Sequence, residues 1–62
     1  MTHNERLRII AAMRTKGGSF VRMLAEAWLY ADDDNCLRIE RAFPELVSKY
    51  QIIAAAMPKE PL

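Results

Sequence analysis

Residues 36–57 read CLRIERAFPELVSKYQIIAAAM. Within them Cys36, Ile39, Phe43, Leu46, Tyr50, Ile53 and Met57 are spaced alternately 3 and 4 residues apart. That alternation keeps one side of an α-helix apolar along the whole stretch, as in a heptad seam. Pro44 falls inside it. Proline within a helix removes a hydrogen bond and clashes with the carbonyl four residues back, here that of Glu40. Alternatively, Pro44 opens a new helix at its first position, where a missing N–H is harmless. That would make Phe43 the N-cap, a residue type with no capping oxygen. Because the seam keeps its phase across Pro44, the expected element is one helical segment over about 34–57, kinked or very briefly broken at Pro44.

Upstream, Asp32-Asp33-Asp34-Asn35 interrupts the apolar pattern with residues that cap helices and suit the positive end of the helix dipole. Before them Phe20, Met23, Leu24, Ala27, Trp28 and Ala31 form a broad stripe, widened by Val21, Ala25 and Leu29. A helix apolar over so much of its circumference is expected to be central in the fold, over about 20–31. Ser19 is a good N-cap for it. Thr2 and Glu5 have the spacing of a capping box. Leu7, Ile10, Ala11 and Met13 then recur at helical spacing up to Lys16, giving a helix over about 3–16 that Gly17 and Gly18 end as a left-handed C-cap. Two prolines in Pro58-Lys59-Glu60-Pro61-Leu62 predict a disordered tail. The fold class expected is all-α: a single domain over 1–57 built as a small bundle of three helical segments.

A chain of 62 residues exposes a large share of its surface and usually needs a disulfide, a metal or self-association to be stable. Cys36 is the only cysteine and His3 the only histidine. An internal disulfide is therefore excluded, and a four-ligand zinc site is not expected. Just over half of the residues are apolar, which points to self-association. A homodimer or a higher symmetric oligomer is expected, with Ile39, Phe43, Leu46, Tyr50, Ile53 and Met57 of the seam and part of the second helix at its interface. No signal sequence and no run long enough to span a membrane is visible. With the lone cysteine, this predicts a cytoplasmic protein that makes no membrane contact.

Charge is unevenly spread. Residues 1–22 carry Arg6, Arg8, Arg14, Lys16 and Arg22 against Glu5, net +4, and residues 23–45 are net −4. Such a split suits nucleic-acid contact at the basic end, or attraction between the two halves of one fold or between two protomers. Arg6, Arg14, Arg22 and Tyr30 are the candidate partner-binding residues, because arginine and tyrosine are frequent interface anchors. Met23 and Trp28 are further interface candidates.

Catalytic and ligand motifs fare poorly. Lys16-Gly17-Gly18-Ser19 lacks the spacing of a phosphate-binding P-loop and is explained by a turn between helices. Counted from Asp32, a calcium loop would need glycine at position six and glutamate at twelve, where Leu37 and Phe43 stand. Ser19 and Cys36 have no evident base, and Glu40 and Glu45 do not face each other on a helix. A helix-turn-helix reader should offer polar side chains to base edges, whereas the second helix offers Phe20, Val21, Met23, Leu24 and Trp28. No enzyme activity, cofactor or metal is expected. A protein partner is favoured over nucleic acid bound by the basic first helix.

The run Lys16-Gly17-Gly18-Ser19-Phe20-Val21, followed by Leu24-Ala25-Glu26-Ala27-Trp28, Ala31-Asp32, Asn35, Ile39-Glu40, Ala42-Phe43-Pro44-Glu45 and Tyr50, resembles small proteins that recur in bacteriophage and prophage genomes. The resemblance covers just over half of the chain. It implies phage origin and an accessory role in the host cytoplasm, often the occupation of a host protein. It carries over no catalytic or binding residue.

Overall fold

Thr2 opens the first helix as its spacing with Glu5 predicts. The Glu5 N–H donates to Thr2 Oγ1 at 3.1 Å, and the Thr2 N–H donates to Glu5 Oε1 at 3.2 Å. The computed structural model describes residues 1–57, among which there are four helices: α1 (His3–Lys16), α2 (Ser19–Leu29), α3 (Asp33–Ala42) and α4 (Pro44–Ala56). The tail expected at 58–62 lies outside the described residues.

The all-α expectation holds, with four helices in place of three. The break at Pro44 is complete. Phe43 leaves the helical region (φ −130°, ψ 55°). Its N–H closes α3 on the Ile39 carbonyl at 3.0 Å, and its own carbonyl accepts the Val47 N–H at 3.1 Å to begin α4. A residue before proline is pushed out of the helical region, and Pro44 sits where its missing N–H is harmless. Phe43 has no capping oxygen, yet its ring is anchored edge-to-face on Phe20, with centroids 5.8 Å apart. On both sides of the break the seam turns toward the core, with Cys36 and Ile39 before it and Leu46, Tyr50, Ile53 and Met57 after it.

Smaller boundaries also shift. α2 spans Ser19–Leu29 where 20–31 was expected, with Gly18 as N-cap and Ser19 already inside the helix. α3 begins at Asp33, where 34 or 35 was expected, because Asp32 is the capping residue and accepts the Asn35 N–H at 2.8 Å. Neither glycine takes a left-handed conformation; Gly17 has φ −83° and Gly18 φ −78°. Gly17 is needed for space. A Cβ there would lie 2.4 Å from Val21 Cγ1 and 2.5 Å from the Met13 carbonyl oxygen.

α1 is the hub in place of the expected α2. It packs extensively against both α2 and α4, while α3 touches α2 and α4 only sparsely. The core comprises Ile9, Ile10, Ala12 and Met13 of α1, Ala25 and Trp28 of α2, Cys36 of α3, and Tyr50 and Ala54 of α4. The seam of α3 and α4 is drawn into this same core. Tyr50 is only 4% exposed, and Ile39, Leu46, Ile53 and Met57 pack half-buried against the buried residues.

Candidate interaction surface

α2 has more apolar surface than the core consumes. Ala25 and Trp28 face inward and are buried, with Val21 half-buried beside them. On the far side Phe20, Met23 and Tyr30 are 60%, 66% and 81% exposed, and Ala27 between them is exposed as well. These four residues follow one another at 3, 4 and 3 positions, so they line a single stripe along the outside of the helix. Tyr30 is the C-cap residue and carries the stripe to the end of the helix.

A shallow groove of about 520 Å³ runs beside the stripe, between α1 and α2. It is lined by Ala11, Arg14, Thr15, Arg22, Met23 and Glu26. Arg14 Nε bonds Glu26 Oε1 at 2.7 Å across it. Arg22 is exposed and has no ion-pair partner among the described residues. Met23 belongs to both groove and stripe, so the two form one continuous surface with an apolar body and a cationic flank.

The four residues singled out for partner contact are thus separated by the fold. Arg6 is turned inward, with only 17% of its side chain exposed, and its Nε donates to Glu40 Oε2 at 2.8 Å. That hydrogen bond holds the guanidinium above its already high ordinary pKa. The same carboxylate oxygen accepts the Trp28 indole N–H at 3.2 Å. Trp28, an interface candidate from sequence, is 1% exposed and belongs to the core. Arg14, Arg22 and Tyr30 remain on the surface. Arg8 is also engaged, its guanidinium donating to the Ala54 carbonyl at 3.2 Å. Three of the four arginines in residues 1–22, namely Arg6, Arg8 and Arg14, are therefore tied to the protein itself, and the +4 and −4 segments close on each other through Arg6–Glu40 and Arg14–Glu26.

Phe20 is the surface residue that sequence reading assigned to the core. Spacing gave no signal for this: the stripe with Met23, Ala27 and Tyr30 is as apolar as the Val21, Ala25 and Trp28 face, and a helix apolar on both sides reads as buried.

Cys36 is buried, with its thiol directed at the Trp28 and Ala31 carbonyls at 3.7 and 3.6 Å. A second, smaller groove of about 180 Å³ between α1 and α4 is lined by Glu5 and Arg8, both already engaged in the hydrogen bonds described. Among the described residues no three His, Cys, Asp or Glu side chains gather to hold a metal ion, and no helix is long and apolar enough to cross a membrane.

Comparison with known protein families, curated proteins and solved structures finds no match to this chain.

Proposed function

We propose that this chain is a non-enzymatic, phage-type accessory protein of the cytoplasm that acts by docking a host or phage protein on the outer face of α2. The observation that carries the reading is the stripe of Phe20, Met23, Ala27 and Tyr30, held out of the core on a helix whose opposite side is fully packed. A contiguous apolar patch rimmed by polar residues marks an interaction site. The occupant it fits is an amphipathic helix, apolar at matching 3- and 4-residue spacing and carrying an acidic side chain where Arg22 waits. Docking of this kind inhibits whatever function the covered surface serves.

The basic α1 supports a nucleic-acid reading less well, because Arg6, Arg8 and Arg14 already have partners. Capture from a nuclease-treated bacterial lysate tests the proposal. Wild-type chain should retain a partner protein that Met23→Asp and Tyr30→Asp both lose, with circular dichroism unchanged. Capture that ignores both substitutions, or that disappears with nuclease and falls steeply with salt, would refute it.

A further inference from the structure

We infer that a second copy of this chain fits the α2 docking face, its own α2 lying antiparallel across the first about a two-fold axis. The inference rests on the docking face proposed above and names its occupant. Three features argue for it.

The first is the spacing. Steps of 3, 4 and 3 read the same in either direction. Turned end for end about Ala25, the stripe superimposes on itself, so that Phe20 meets Tyr30 of the second copy and Met23 meets its Ala27. A two-fold interface requires this self-complementarity, in which residue i meets j and j meets i.

The second is size. In that register an aromatic ring faces an aromatic ring at each end, and in the middle a long, adaptable methionine faces a small alanine. Parallel pairing would set methionine against methionine and leave a gap between two alanines. On one flank, half-buried Leu24 and the Phe43 ring that packs on Phe20 extend the apolar area.

Charge supplies the third. Arg22 and Glu26 sit one helical turn apart on the other flank, both lining the groove. A two-fold axis keeps that flank on the same side in both copies and reverses its direction. Each unpaired Arg22 is thereby brought toward Glu26 of the other copy; the two Glu26 carboxylates also approach each other across the axis, and the two Arg14 and two Arg22 guanidinium groups outnumber and bridge them.

An 11-residue helix offers less than the ~800 Å² that each partner gives to a standard interface. The dimer is accordingly expected to form in the micromolar range or weaker. Sedimentation velocity from low micromolar to millimolar concentration should show monomer passing to dimer. Met23→Asp should weaken association roughly tenfold or more, since it would bury an unpaired charge, with an unchanged far-ultraviolet spectrum because Met23 is 66% exposed in the single chain.

Register is read by oxidative cross-linking of Met23→Cys and Ala27→Cys chains; native Cys36, at 4% exposure, can stay in place. The mixture should cross-link faster than either variant alone. A chain that stays monomeric at millimolar concentration, or a Met23→Cys variant that cross-links with itself as fast as with Ala27→Cys, overturns the inference. If the monomer nevertheless loses lysate capture on Met23→Asp, the docking face stands and only the second copy is excluded. A dimer indifferent to Met23→Asp overturns the inference, and lysate capture equally indifferent overturns the docking face with it.

Discussion

The Glu40 carboxylate accepts the indole N–H of Trp28 at 3.2 Å, from a residue twelve positions away on another helix. Trp28 is the largest fully buried side chain, and a buried indole N–H without a partner is destabilising. Because Arg6 donates to the same oxygen, one carboxylate joins α1, α2 and α3.

Glu40→Ala is therefore expected to be among the most damaging substitutions at a residue that reaches solvent at all. It leaves the indole unsatisfied and the Arg6 charge, 17% exposed, without a counterion. A loss of about 2–4 kcal/mol is expected, which lowers Tm by about 10 °C or more in a domain of this size. Glu40→Gln keeps an acceptor for one donor and should lose less. A thermal melt of Glu40→Ala within a few degrees of wild type would contradict the assignment.

The Arg14–Glu26 pair should behave differently. Its side chains are 52% and 36% exposed, and solvent screening leaves an exposed pair with little net effect, about 0.5 kcal/mol or less. Arg14→Ala combined with Arg22→Ala is expected to leave Tm nearly unchanged while weakening partner capture. A marked fall in Tm, with capture normal in the folded variant, would make these arginines structural.

Adjacent glycines should respond in opposite directions. Gly17→Ala drives a Cβ into Val21 and the Met13 carbonyl, the latter being backbone that cannot swing aside, and overpacking of this kind costs about 1–3 kcal/mol. Gly18 has open space around a Cβ and caps α2 without a side-chain hydrogen bond. Gly18→Ser supplies the missing oxygen and restricts the unfolded chain, for a gain of roughly 0.5 kcal/mol. Urea melts of the two variants should bracket wild type; the reverse order would refute this account of the turn.

Phe20 and Phe43 form an edge-to-face contact between α2 and the break before Pro44. A double-mutant cycle with Phe20→Ala and Phe43→Ala, run at low micromolar concentration, should give a coupling of about 0.5–1.5 kcal/mol. Strict additivity would mean that the rings do not hold the two helices together.

Glu5 sets an acid limit on α1. Hydrogen bonds from the Thr2 backbone and side chain lower its pKa below the ordinary value of 4.5. A carboxylate whose pKa is depressed by folding contributes stability that is complete above the unfolded value and is lost as pH falls through the folded one. Wild type should therefore lose Tm relative to Glu5→Gln as pH drops below about 4.5. Parallel Tm curves for the two proteins across that range would remove Glu5 from the acid response.

Local chemistry was legible in the sequence. Thr2 and Glu5 mark the start of α1, Asp32 and its neighbours the start of α3, and the Cys36–Met57 spacing the inward side of α3 and α4. Two things were not. Pro44 had two plausible geometries, and spacing alone does not choose between them; in the fold Phe43 leaves the helical region and its ring meets Phe20, a contact distant in sequence. The seam looked like an interface between chains because periodicity shows that a face is buried but not against what. It packs against the core of its own chain, while large apolar side chains stand exposed on the other side of α2 and also elsewhere, Ile52 of α4 among them. For the same reason the arginines could not be sorted by spacing. Arg6 and Arg14 both lie on α1, yet one is drawn beneath Glu40 and the other lies at the rim of a groove.

The position of α1 between α2 and α4 also bears on how the protein is made. Its first partner follows it directly from the ribosome, whereas its second, α4, emerges only after α2 and α3. Until α4 emerges, the nascent chain carries an apolar helix face with nothing against it, open to chaperones and proteases. A chain ending at Phe43 should be digested about as fast as an unfolded peptide in pulse proteolysis. A premature stop or frameshift that removes α4 would thus act as a null allele, removing the protein from the cell rather than trimming it.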